Sequence, residues 1–154
     1  MNPKIDFGCD YISIMRSMAF KGHPNEVNQI SDAAAKLFLA LWGFTVDEIA
    51  QADQLFYFKM NSGQYNAPLI ETAKRVVYHL SANRQDQERL IVQLAALGLM
   101  DFVVTDQEKA FVLIFQQLLQ LDMAKYQDLC NQGANLAVVL NNFGKVYMDS
   151  AINQ

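Results

Sequence analysis

The segment from Arg84 to Leu129 places the tightest limit on the fold. Leu90, Leu94 and Leu97 recur at intervals of four and three, and after a hinge Phe111, Phe115 and Leu118 repeat the pattern. That is the period of a helix with one buried face. The segment reads as helix, short hinge, helix, short turn, helix. Each helix is apolar on one side and needs a partner to cover it. No window of the chain shows the sustained period-two alternation of a half-buried strand. The expected fold is all-α, a single-domain multi-helix bundle over residues 1–154.

The rest of the chain extends this reading. Residues 1–9 read as a lead-in, and Asp10 as the cap of a helix over Tyr11–Phe20 carrying Ile12, Met15 and Ala19. Lys21-Gly22-His23-Pro24 ends that helix, and a polar loop runs on to Gln29. Ser31 then caps a second helix with Leu37, Phe38, Leu41 and Trp42 on helical spacing. Gly43 breaks it. Thr45 caps a third helix through Val46, Ile49, Leu55 and Phe58. Asn61–Asn66 is turn chemistry. Asn66, with Pro68 in the first turn, opens a helix over 67–81 through Ile70, Ala73, Val77 and Leu80, with Lys74 and Arg75 outward. Gly133 separates the last central helix from a C-terminal one over 134–148, whose stripe is Leu136, Val139, Leu140, Phe143 and Tyr147. This gives eight short helices.

A weak internal echo crosses the chain. Ile30-Ser31-Asp32 resembles Val104-Thr105-Asp106, Leu37 answers Phe111, and Thr45 lines up with Asp122 as the following cap. The pattern suggests two pseudo-symmetric three-helix units, about 11–58 and 86–131.

Bulk properties narrow the function. A chain of 154 residues with 52% apolar side chains, ten Phe and seven Met has material for a filled core. A net charge of −4, with no dense cluster of Lys and Arg, argues against a nucleic-acid surface. The longest apolar runs, Leu94–Met100 and Ala110–Phe115, are far short of the ~20 residues of a membrane span, so no membrane insertion is expected. Cys9 and Cys130 have no CxxC spacing and no neighbouring histidine. They read as free thiols, which fits a cytoplasmic protein. His23 and His79 read as ordinary loop and helix residues. No phosphate-binding loop, nucleophile elbow or HExxH motif is present, and no catalytic or cofactor-binding set is assigned. The chain reads as non-enzymatic.

The candidate site is a pair of acids. Asp101 ends one central helix, and Glu108 opens the next, seven positions on. Helical phase turns both inward. Carboxylates at facing helix ends can take a divalent cation, with carbonyls and waters completing a shell of six or more oxygens. The same residues also make structural sense without a metal. Thr105-Asp106-Gln107-Glu108 has the form of a capping box, and Asp101 can accept from N–H groups at the helix start. Thr45-Val46-Asp47-Glu48 has that form with no metal in prospect, which favours the structural reading.

LAALGLMDFVVTDQEKAFVLIFQQLLQLDMAKYQDL resembles the TerB-like (tellurite-resistance B) family. In that family a helix ends in an alanine-aspartate-glycine step, a glutamate follows seven residues later, and a helix and a short acidic turn come next. Met100-Asp101-Phe102 occupies the step, Glu108 matches the glutamate, and Leu119-Gln120-Leu121-Asp122 the turn. The resemblance implies an all-helical pseudo-symmetric bundle with Asp101 and Glu108 as metal-ion ligands, and a link to bacterial stress or tellurite resistance. Phe102 stands where the family has glycine. In the first unit Val27 and Ala34 stand at the two acidic positions. The function expected is a TerB-like module acting through protein partners or self-association as a homodimer. The alternative is a binder of a small hydrophobic ligand in an interhelical pocket.

Overall fold

The computed structural model describes residues 2–19, 26–63, 69–99 and 106–152. They form seven helices, and no strand occurs among them. In order these are α1 (Pro3–Ala19), α2 (Glu26–Leu41), α3 (Val46–Asn61), α4 (Leu69–His79), α5 (Arg84–Gly98), α6 (Asp106–Leu119) and α7 (Met123–Ile152). The all-α expectation holds. One buried cluster runs through all of them, from Phe7 and Tyr11 on α1 through Phe38, Phe56, Val76 and Leu94 to Phe115 on α6 and Leu129 on α7. α1 packs chiefly on α3 and α4, and α5 chiefly on α7.

Several helix boundaries correct the sequence reading. α1 begins at Pro3, so residues 3–9 are helix and not a lead-in. Asn2 opens it, with its side-chain oxygen accepting from the Lys4 N–H at 3.0 Å. Asp10 is not a cap. It lies inside α1, where its carboxylate receives the Arg75 guanidinium through two contacts of 3.0 and 3.1 Å. Arg75 is therefore only partly outward. α2 starts at Glu26, which puts Ser31 within the helix and not at its cap. The Asn66 and Pro68 helix start lies outside the described residues.

The inward faces also shift. On α3 the buried residues are Ala52 and Phe56, while Val46 and Phe58 face solvent. On α2, Phe38 and Leu39 are buried, whereas Leu37 and Leu41 are exposed. Val139 of α7 is likewise exposed. In each case the apolar stripe is broader than one face needs.

Gly133 does not break a helix. α7 runs for 30 residues straight through it, so the expected separate helix over 134–148 is the second half of α7. A Cβ at Gly133 would sit 2.6 Å from the Ala95 Cβ and 2.7 Å from the Val92 carbonyl oxygen. The glycine is there because α5 and α7 approach too closely for any side chain. Gly8 plays a similar part in α1, where an added Cβ would come within 2.7 Å of the Phe44 ring.

Two predicted caps hold. The Thr45 N–H donates to Glu48 Oε1 at 2.9 Å, and the Glu48 N–H donates back to Thr45 Oγ1 at 3.2 Å, closing a capping box. Lys4 adds a contact from α1, reaching Glu48 Oε1 at 3.0 Å and the Gly43 carbonyl at 2.9 Å. Asp122 starts α7, accepting from the Lys125 N–H at 2.8 Å.

Two polar junctions tie α1 and α2 to other helices, one to α3 and one to α5. Arg16 of α1, only 8% exposed, meets Asp32 of α2 at 3.1 Å and Asp53 of α3 at 2.7 Å. Lys36 approaches the same two acids at 3.2 and 3.6 Å, so two positive and two negative charges balance. The Phe56 ring lies 4.8 Å under the Arg16 guanidinium. At the second junction, buried Gln93 of α5 accepts from the Tyr11 hydroxyl at 2.6 Å and from the Trp42 indole N–H at 2.9 Å. Burial pushes the Tyr11 phenol well above its ordinary pKa.

Candidate functional site

Glu108 points inward, as helical phase predicts. It occupies the first turn of α6 and is 8% exposed. Asp101 lies outside the described residues, as do Phe102 and the Thr105 cap. Glu108 is engaged within the fold, which is the condition on which a buried carboxylate is tolerated.

Beside Glu108 lies a recess of about 190 Å³ between three helices. Ala95 and Leu99 of α5, Val112 of α6, and Tyr126 and Cys130 of α7 give it a mainly apolar wall. Tyr126 and Cys130 stand one turn apart and hydrogen-bond to each other. Burial pushes both the Tyr126 phenol and the Cys130 thiol upward. The thiol therefore stays protonated at neutral pH and is a poor nucleophile. A recess this size matches a small apolar guest, since dry cavities of about 150 Å³ take a single aromatic ring.

Among the described residues no group of three or more His, Cys, Asp or Glu side chains is placed to hold a metal ion. Glu108 is the carboxylate that the described wall of this recess supplies, and Lys109 follows it in the same wall. Neither cysteine is in a disulfide; Cys9 is fully buried in the core and Cys130 half-buried. His23 lies outside the described residues.

A larger recess, of about 390 Å³, was not anticipated from the sequence. It opens between the first half of α1 and the length of α4. The two helices run antiparallel there, because Asp10 pairs with Arg75 while the earlier Phe7 meets the later His79. The Phe7 and His79 rings stack at 4.6 Å with an interplanar angle of 20°. Asp6, Glu71, Lys74 and Tyr78 complete the wall. The spacing of Asp6 and Asp10, one turn apart on a helix, is visible in the sequence. That they face Lys74 and His79 is a long-range fact no local pattern carries.

A third feature is the end of α3. Tyr57, Phe58 and Met60 are each more than half exposed, Phe58 at 65%. Tyr57 is braced from beneath, with Phe56 at 5.5 Å edge-on and the Arg16 guanidinium 5.1 Å from its ring.

No helix among the described residues is long and apolar enough to cross a membrane. Comparison of the chain with family models, with curated proteins and with solved structures finds no match.

Proposed function

We propose that the chain is a non-enzymatic TerB-like helical module that works in the cytoplasm by binding a protein partner. The observation that carries this is the solvent-facing end of α3. Three large apolar side chains within four residues, Tyr57, Phe58 and Met60, stand exposed. Aromatic residues and Met are the types enriched in the cores of protein interfaces. The bracing of Tyr57 by Phe56 and Arg16 limits the rotamer freedom it has to lose on binding.

The two-unit reading of 11–58 and 86–131 supports the TerB-like part. In each, the first helix packs chiefly on the third, α1 on α3 and α5 on α7. The inward Glu108 and the Asp122 cap agree with the family's second unit. The resemblance links the module to bacterial stress or tellurite resistance and suggests a divalent-cation site at Asp101 and Glu108.

The test replaces Phe58 with a photo-crosslinking phenylalanine analogue in the expressing cell and, separately, with serine. A discrete crosslinked adduct is expected, together with loss of that partner from the Phe58→Ser protein. Sedimentation of the purified chain tells a homodimer from a different partner. No adduct, with a monomer in sedimentation, refutes the reading. Calorimetric titration with Ca²⁺, Mg²⁺, Mn²⁺ and Zn²⁺ tests the cation site, and no heat with any of them removes it. The recess beside Glu108 favours a second reading, a small hydrophobic ligand held between α5, α6 and α7. Native mass spectrometry of freshly purified protein showing only the bare mass counts against it.

A further inference from the structure

The α1–α4 recess has about twice the volume of the one beside Glu108. At about 390 Å³ it falls in the size range of small-molecule sites. It carries charges of both signs, and it has an aromatic wall.

Its charges are not equivalent. Asp10 and Arg75 are locked together by the paired contacts at 3.0 and 3.1 Å and act as a strut between the two helices. Asp6 is different. It stands one turn before Asp10, about 5–6 Å away between Cβ atoms, and among the described residues it has no ion-pair partner. Lys74, next to Arg75, has only Glu71 at 3.7 Å, with both side chains 55% exposed, a contact of little strength. The recess therefore holds one available negative group on α1 and one loosely held positive group on α4. The same wall carries the His79 ring, fixed by its stack on Phe7, and the Tyr78 side chain, 82% exposed.

We propose that the α1–α4 recess binds a small zwitterion of the α-amino-acid class with an aromatic or bulky apolar side chain. Its ammonium sits on Asp6, its carboxylate on Lys74, and its side chain against His79 and Tyr78. Two charge-assisted contacts of about 2.8 Å, joined by an ammonium and a carboxylate about 3 Å apart, reach across roughly 8–9 Å, and the flexible Lys74 stem can adjust to that span. A metal ion is the poorer occupant, because Asp6, Asp10 and Glu71 do not converge with His79 as a ligand group.

The experiment is a nuclear magnetic resonance titration of the full chain with four probes: phenylalanine, phenylalaninamide, N-acetylphenylalanine and glycine. Phenylalanine is expected to shift the resonances of Asp6, Lys74 and His79. The amide and the N-acetyl derivative, each lacking one charge, are expected to bind about tenfold more weakly, and glycine more weakly still. Asp6→Asn should abolish the preference for phenylalanine over its N-acetyl form, and Lys74→Gln the preference over the amide. Lys74 is exposed and Asp6 only half-buried, and circular dichroism of each variant should match the parent chain. Absence of shifts at these residues with all four probes overturns the proposal. So does an amide or N-acetyl form binding as well as phenylalanine, or unchanged binding in both variants.

Discussion

Replacing Gly133 with alanine should destabilise the protein, although alanine is the better helix former. On an exposed helix the change would gain about 1 kcal/mol. Here the new methyl would lie 2.6 Å from the Ala95 Cβ, 2.7 Å from the Val92 carbonyl oxygen and 3.0 Å from the Ala96 nitrogen. Carbon atoms pack at about 3.5–4.0 Å, so α5 and α7 must part by roughly 1 Å. Two of the three obstructing atoms are backbone and cannot rotate away. Overpacking of this kind costs up to about 3 kcal/mol, and α5 on α7 is among the most extensive helix pairs in the fold. The net expectation is a loss of about 2 kcal/mol. For a chain of this size that lowers the melting midpoint by about 4–8 °C. The assay is thermal and urea unfolding of Gly133→Ala, Ala95→Gly and the double variant. The cycle should show that Ala95→Gly is less damaging when position 133 carries alanine, because the shortest contact is then relieved. A midpoint for Gly133→Ala equal to or above the parent's would refute the close approach.

Other expectations follow from the same geometry. Arg16→Met leaves Asp32 and Asp53 facing Lys36 alone and should cost about 3 kcal/mol in urea unfolding; a change within error would mean the junction is not buried. Gln93→Leu strips the acceptor from two donors, Tyr11 and Trp42, and should cost about 2 kcal/mol or more. Thr45→Ala should cost about 1 kcal/mol as a lost N-cap. The backbone N–H of Thr45, followed by Lys4, holds the Glu48 carboxyl below its ordinary pKa. Its stabilisation is present above the unfolded carboxyl value and lost as pH falls through the folded one. The gap in melting midpoint between the parent and Glu48→Gln should therefore narrow on acidification from about pH 6 to about pH 3, and a constant gap contradicts the assignment. Iodoacetamide should label Cys130 far more slowly in native than in unfolded protein at pH 8, because burial raises its thiol.

Features that depend on neighbours in sequence were legible there. Thr45 and Glu48 are three residues apart and cap one helix start between them, and Asp122 caps the next turn of its own chain. Glu108 could be turned inward from period alone. The helix limits were legible only in part, because glycine has two uses. Gly43, with φ of +90°, ends α2 as read. Gly133 and Gly8 sit within helices, and their absent side chains matter to a neighbour distant in sequence. Phe58 and Leu41 fell on plausible stripes, yet Phe56 and Leu39 are turned inward, beside the expected Phe38. When apolar residues exceed one face, phase alone does not choose between adjacent positions. The α1–α4 recess was illegible for a related reason, since it joins residues sixty or more positions apart, such as Asp10 and Arg75 with a separation of 65.

Trp42 is the single tryptophan of the chain. Its indole N–H is held by Gln93, the Arg89 guanidinium lies 5.2 Å from its ring, and the Phe7 ring meets it edge-on with the two centroids 5.9 Å apart. Phe7 in turn is the ring on which His79 rests. The molecule thus carries its own optical gauge, one aromatic contact removed from the floor of the α1–α4 recess. Emission from this lone fluorophore can follow events at that floor without any label being attached.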